Sequence, residues 1–310
     1  MFGTYMLCNE SPGNSFISQT FAVDLVQMTL GSAVVLINLL LVFSLLCASN
    51  LKKPCIRILA SLSFSDCLLG LDSVFLGALE LLPGGSSQWW FLVGNCVFVT
   101  STLASLYSIL GIAVERYLTL SNPKKVKTRS MAWVPKAIIS MWILAVTFGA
   151  MPLMGWNCLN TADRCCASMA PMGIIYLLVV VVPNFVLALV ALLFCYLRTL
   201  RCVMLWRVRI MAKNEDVALA GIKNREIKVA KTVAWVTGSF VVFYSPAVAL
   251  AFLEPYWDNG DCLPPSLLKN IAATLILLNS LASPLTYGLK LKDVRTSVVR
   301  TCSFIWTCKL

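Results

Sequence analysis

Residues 111–123 read GIAVERYLTLSNP. A carboxylate, a guanidinium and a phenol, Glu115, Arg116 and Tyr117, stand together at the end of an apolar run that begins near residue 89. An ionisable pair there marks the border at which the chain leaves hydrocarbon. Six further apolar segments flank it, at about 21–47, 55–82, 131–154, 169–202, 225–254 and 263–289. Each reaches the roughly 20 residues that a helix needs to cross a bilayer. The runs are continuous and long, which excludes the short alternating strands of a membrane barrel. The expected fold is an all-α membrane protein, a seven-transmembrane helix bundle over residues 21–289.

Composition agrees. Of 310 residues, 59% are hydrophobic and 13% charged, against about a quarter charged in soluble domains. Mean hydropathy is +0.82. No apolar run precedes residue 21, so the first span is expected to act as an uncleaved anchor. Net charge is +11. With the N-terminus outside, all of the 25 lysines and arginines except Arg164 and Lys269 fall on the cytoplasmic side. That is the positive-inside pattern, and it leaves nothing for a nucleic-acid reading. Residues 1–20 are then an extracellular N-terminus, with a glycosylation sequon at Asn9-Glu10-Ser11. The chain contains no histidine, which excludes a histidine-based proton sensor or metal site.

Ionisable and polar groups inside the spans are the first site candidates, because burying them in lipid is costly. Span two carries Asp66 and Asp72 in LASLSFSDCLLGLD. Span seven carries Asn279, Ser280, Ser283, Pro284 and Tyr287 in LLNSLASPLTYGL. Pro284 removes a helix hydrogen bond beside those groups.

These features resemble the rhodopsin-like G-protein-coupled receptors over nearly the whole chain. Asn38, the Leu59-Ala60-Ser61-Leu62 to Asp66 pattern, Glu115-Arg116-Tyr117 followed by Pro123, Trp142 and Ser283-Pro284-Leu285-Thr286-Tyr287 come in the family's order. The resemblance implies that Arg116 meets a heterotrimeric G protein when the cytoplasmic face opens. At rest it would be held by Glu115 and, across the bundle, by Glu226, with Tyr287 part of the same switch. The alternative is that Glu115 and Glu226 only balance a basic inner surface. Asp66, Ser105, Asn279, Ser280 and Ser283 resemble the family's sodium pocket, one charge among neutral oxygens that suit a hard cation. The alternative is a water-filled polar hinge. No cofactor is expected beyond that sodium ion, with Asp66 its charged ligand.

The chain departs from the family at three places. Phe243-Tyr244-Ser245-Pro246 replaces Cys-Trp-x-Pro, so Tyr244 becomes the aromatic at the pocket floor or a core aromatic at a proline kink. Ser283 replaces the usual Asn. Phe91 stands where most members carry a cysteine at the outer end of span three. The cannabinoid and sphingosine-1-phosphate receptors lack that cysteine too, and Pro152-Leu153-Met154-Gly155-Trp156-Asn157-Cys158 resembles their loop entry. Lys53-Pro54 and Ile227-Lys228-Val229-Ala230-Lys231-Thr232 add likenesses to the cannabinoid receptors. The resemblance implies a disulfide inside the outer loop, between Cys158 and Cys165, worth roughly 2.5 kcal/mol on the chain-entropy model. Cys166 is a competitor for Cys158, a partner for Cys262, or a free thiol.

An amine receptor of this family has an Asp 18 residues before Arg116; here that position is Phe98, so an amine lacks that counter-ion. The phosphate-holding Arg of the lysophospholipid receptors is replaced by Gly94, followed by Asn95. The expected pocket, Phe91, Gly94, Asn95, Phe98, Thr102, Tyr176, Tyr244 and Phe252, with Trp257 near its rim, suits a neutral or weakly polar lipid. Lys269 either pairs with a head group or snorkels to the interface. Trp89 and Trp90 belong to the outer aromatic belt.

Residues 290–310 are expected to form an amphipathic cytoplasmic helix and short tail. Leu291, Val294, Val298, Cys302 and Ile305 make one apolar stripe opposite Lys292, Arg295 and Arg300. Cys302 and Cys308 sit where palmitoylation would anchor it; reduced thiols are the alternative. The chain therefore reads as a plasma-membrane lipid receptor, not an enzyme. Its rival is a non-signalling or constitutively active pseudo-receptor that binds lipid or modulates another receptor.

Overall fold

The computed structural model of the protein describes residues 14–47, 54–81, 87–121, 123–159, 172–212, 231, 235–250, 263–290 and 292–307. Helix α1 runs Asn14–Leu46, α2 Pro54–Glu80, α3 Gln88–Ser121 and α4 Pro123–Ala150. Helix α5 is one rod made of Ile174–Tyr176, a π-helical turn Leu177–Val181, and Val182–Ala212. Helix α6 is Trp235–Leu250, α7 Leu263–Lys290 and α8 Lys292–Thr307. Helices α1 to α5 and α7 hold stretches long and apolar enough to cross a membrane; α6 is apolar but shorter over the described residues.

Helix α3 is the axis of the bundle. It packs on α2, α4 and α5, while α1 packs on α2, α7 and α8. Leu92, Leu103, Leu106, Ile109 and Ile112 are buried along α3. Leu36, Ile139, Val179, Leu187 and Trp235 project outward and stay exposed. An apolar exterior around a partly polar interior is what hydrocarbon solvent selects. Helix α6 docks through Phe240 and Tyr244, which stack with each other at 4.0 Å and against Phe185 of α5. Its Trp235 ring lies 4.8 Å from the Lys290 ammonium at the end of α7.

Prolines inside these helices free carbonyls that side chains then satisfy. Pro284 cannot donate to the Ser280 carbonyl four residues earlier. The Asn38 amide, from α1, donates to that oxygen at 3.1 Å. Pro246 likewise frees the Val242 carbonyl, and the Ser245 hydroxyl donates to it at 3.1 Å. The span-seven proline thus binds α7 to α1.

Several boundaries differ from expectation. Helix α1 starts at Asn14, inside the expected N-terminal segment 1–20, because extending a nucleated helix costs little. Helix α4 starts at Pro123, where proline's fixed φ suits a first turn. Helix α5 begins later and ends later than expected, its last turns continuing through Arg198 and Arg201. In α8 the packed line is Val294, Ser297 and Thr301, while Cys302 is exposed. The stripe is rotated because α8 docks sideways on α1 and α7. Leu291 and the side chain of Ile305 lie outside the described residues.

Candidate functional site

Two polar clusters lie along the bundle, and a third group lies in the half away from Arg116. The first is the α3 terminus. Arg116 donates through Nε to Glu115 Oε2 at 2.5 Å and through Nη2 to Oε1 at 2.7 Å. Thr119 donates to the same carboxylate at 3.1 Å. The Glu115 side chain is 3% exposed and that of Arg116 12%. A two-point, charge-assisted contact this dry is a firm restraint on both side chains. Tyr117, next along the helix, is half-buried. Glu226 lies outside the described residues.

The second cluster is at mid-bundle. Asp66 of α2 is 1% exposed. Its Oδ1 accepts from Ser105 of α3 at 3.2 Å and from Ser280 of α7 at 3.0 Å. Among the described residues its Oδ2 has no partner, and neither atom of the buried Asn279 amide has one. The Tyr287 hydroxyl is also buried and unpartnered. The Ser283 hydroxyl donates to the Asn279 carbonyl at 3.3 Å. A helical serine commonly bonds its own chain this way, and the oxygen keeps its lone pairs. What remains is one carboxylate with open acceptor capacity, surrounded by neutral oxygens, and that donor set fits a sodium ion. Ser61 links the flanking helices, accepting from Trp142 Nε1 at 3.0 Å and lying 3.3 Å from the Ser108 hydroxyl.

The expected ligand residues divide. Tyr244 is 2% exposed and sits on the Phe240 and Phe185 rings. Its hydroxyl lies beside that of Thr102, yet neither closes a hydrogen bond of normal geometry. These two mark a polar spot on an apolar floor. Phe91 and Phe98 are half-buried on α3 and Asn95 is buried. Two residues leave the pocket set. Tyr176 donates to the Phe148 carbonyl at 3.0 Å and is 1% exposed; its hydroxyl ties α5 to α4. Gly94 is covered by Leu76 of α2, which occupies the space a Cβ would need. Phe252, Trp257 and the side chain of Lys269 lie outside the described residues.

The loop entry is ordered by a glycine. Met151–Met154 form a 3-10 turn that Gly155 ends at φ 114°, a conformation glycine adopts without strain. The Asn157 amide donates to the Pro152 carbonyl at 2.8 Å. Cys158 follows, buried at 9% exposure. Cys165, Cys166, Cys262, Asn9 and Cys308 lie outside the described residues.

Sequence reasoning flagged Asp72 as a candidate without giving it a role, and passed over Asp24 and Glu80 in the half away from Arg116. Asp24 of α1 is 8% exposed and lies beside Glu80 of α2. Asp72 is 4% exposed and Gln27 fully buried. The rule that every acid within a span is a site candidate flags all three acids.

Comparison with known proteins agrees with this geometry. The profile of the 7 transmembrane receptor (rhodopsin family) matches residues 37–287. Human Sphingosine 1-phosphate receptor 2 is 28% identical over 274 residues, 86% of this chain and 72% of that protein. Zebrafish (Danio rerio) Sphingosine 1-phosphate receptor 1 is 26% identical, over 86% of this chain and 74% of its own length. Mouse Lysophosphatidic acid receptor 3 is 28% identical over 263 residues, 83% of this chain and 72% of that receptor.

Proposed function

Because the chain belongs to the rhodopsin family of seven-transmembrane receptors, we propose that it is a plasma-membrane lipid receptor whose Arg116 face opens to a heterotrimeric G protein. The observation that carries the signalling half is the closed Glu115–Arg116 contact, 2.5 and 2.7 Å long and almost dry. It is a restraint that opening must break. The lipid half is supported by the sphingosine 1-phosphate and lysophosphatidic acid receptors among its relatives and by the apolar floor of Phe240, Tyr244 and Phe98. In this reading the N-terminus is extracellular, with Asn9 glycosylated. Cys158 closes on Cys165, which mass mapping of the oxidised loop checks. The exposed Cys302 is palmitoylated.

A G-protein dissociation assay with a lipid library, in cells with matched surface expression, tests the reading. A dose-dependent response to a lipid supports it. Silence with the receptor at the surface favours the second reading, a non-signalling pseudo-receptor. Ser283, turned back on its own helix, is the observation that favours that rival. Glu226→Ala should raise basal dissociation severalfold if Glu226 shares the hold on Arg116; an unchanged basal level removes it from the switch.

The Asp66 pocket carries a sodium proposal. Replacing choline by sodium at about 100 times the dissociation constant stabilises the resting form by about 2.7 kcal/mol. Wild type should show a sodium-dependent rise in Tm that Asp66→Asn abolishes. Equal melting of wild type in the two salts means that the pocket holds only water.

A further inference from the structure

The acids in the half of the bundle away from Arg116 stand on α1 and α2; Asp24 and Asp72 are buried and Glu80 is half-buried. Asp24 and Glu80 lie side by side across α1 and α2. About one turn along α1 from Asp24, the Gln27 amide donates to the Asn270 carbonyl of α7 at 3.3 Å, and its Oε1 has no partner among the described residues. The Ser73 hydroxyl donates to the Gln27 backbone carbonyl at 3.0 Å, which sets the neighbouring Asp72 at the same level. Asp72 faces Gly94 of α3, and its buried Oδ2 has no partner among the described residues. Every open valence here is an acceptor. The described side chains of α1, α2, α3 and α7 in this half include no lysine or arginine. Among the described residues these acceptors lack a donor, and beside three acids a positively charged donor matches them best; the Lys269 side chain lies outside the described residues. No three His, Cys, Asp or Glu side chains converge among the described residues as a metal site would require, so an organic cation fits better than a divalent ion.

We propose that this buried acceptor cluster is a subsite for the ammonium group of a lipid ligand. Asp72 is the counter-ion, Gln27 Oε1 the second acceptor, and the neighbouring Asp24 and Glu80 add negative field. The subsite rests on the lipid-receptor reading. It supplies on α1 and α2 the counter-ion that Phe98 denies to α3. A phosphate monoester, all acceptors and negative charge, is disfavoured by the same groups.

The test is equilibrium binding of tritiated dodecylamine, N-dodecylacetamide and dodecyl phosphate to the full chain in lipid nanodiscs, with empty nanodiscs as blank. The expected result is at least a tenfold preference for the amine over the acetamide (about 1.4 kcal/mol), collapsing in Asp72→Asn while acetamide binding stays unchanged. Gln27→Met must weaken the same preference, and it serves if Asp72→Asn does not fold. Equal binding of amine and acetamide, a preference for the phosphate, or a preference untouched by both variants overturns the subsite and leaves the lipid reading standing. No binding by any of the three overturns the subsite and also counts against the lipid reading, which the dissociation assay reads independently.

Discussion

Glu115→Gln should raise ligand-independent G-protein dissociation about tenfold at equal surface expression, and adding Arg116→Ala should return it to background. The glutamine keeps the shape of Glu115 but not its charge. Two bonds between opposite charges, at 2.5 and 2.7 Å, become at best one from Arg116 to an uncharged amide oxygen. Breaking a buried ion pair by removing one partner costs about 3–5 kcal/mol. Arg116 is 12% exposed and recovers part of that from water. A net loss of about 1.4 kcal/mol from the resting state alone multiplies a small active population tenfold. The double variant separates two explanations. If Arg116 is itself the group that engages the G protein, freeing it activates and deleting it silences. If Glu115→Gln is silent while the receptor reaches the surface, the pair is only structural. The measurement needs no ligand, so its outcome is independent of the lipid reading.

Gly70→Val should lower the Tm of the purified receptor by on the order of 10 °C, whereas Gly238→Ala should leave it equal or higher. A Cβ at Gly70 would lie 2.7 Å from the Gly31 carbonyl oxygen and 2.9 Å from Val35 of α1. The reverse contact, Gly31 against the Gly70 carbonyl, is 2.9 Å. Backbone meets backbone here, so no side-chain rotation relieves the clash and α1 must move off α2. In a bilayer such close approach is itself the source of packing energy. Overpacking of about 3 kcal/mol corresponds to roughly that fall in Tm. Gly238 has nothing within 4 Å of its Cβ position, so alanine adds helix propensity without a collision. If Gly70→Val melts as wild type does, the α1–α2 contact is looser than these distances require.

The site was only partly legible in advance. Glu115, Arg116, Asp66, Asn279 and Ser280 could be named because a charge or amide inside an apolar run is visible in one dimension. The exclusion of Tyr176 and Gly94 from the pocket was not visible. Tyr176 is spent on the Phe148 carbonyl and Gly94 is covered by Leu76, and both facts depend on a neighbouring helix. Ser283 was placed with Asp66 by its position in a motif, and only the structure shows that its proton goes to the Asn279 carbonyl.

The sequence by itself determined the solvent, the spans and the charged end of the bundle. Hydropathy, helix rise and bilayer thickness are local quantities, and they allowed no other class of fold. Only the tertiary structure decided which polar groups meet. Asn38 finds the carbonyl that Pro284 frees, Asp66 draws in Ser105 and Ser280, and Asp24 meets Glu80. Those pairings depend on how each helix is rotated about its axis and how closely it approaches its neighbour. Rotation and approach are set by contacts such as Gly31 on Gly70, between residues far apart in the chain.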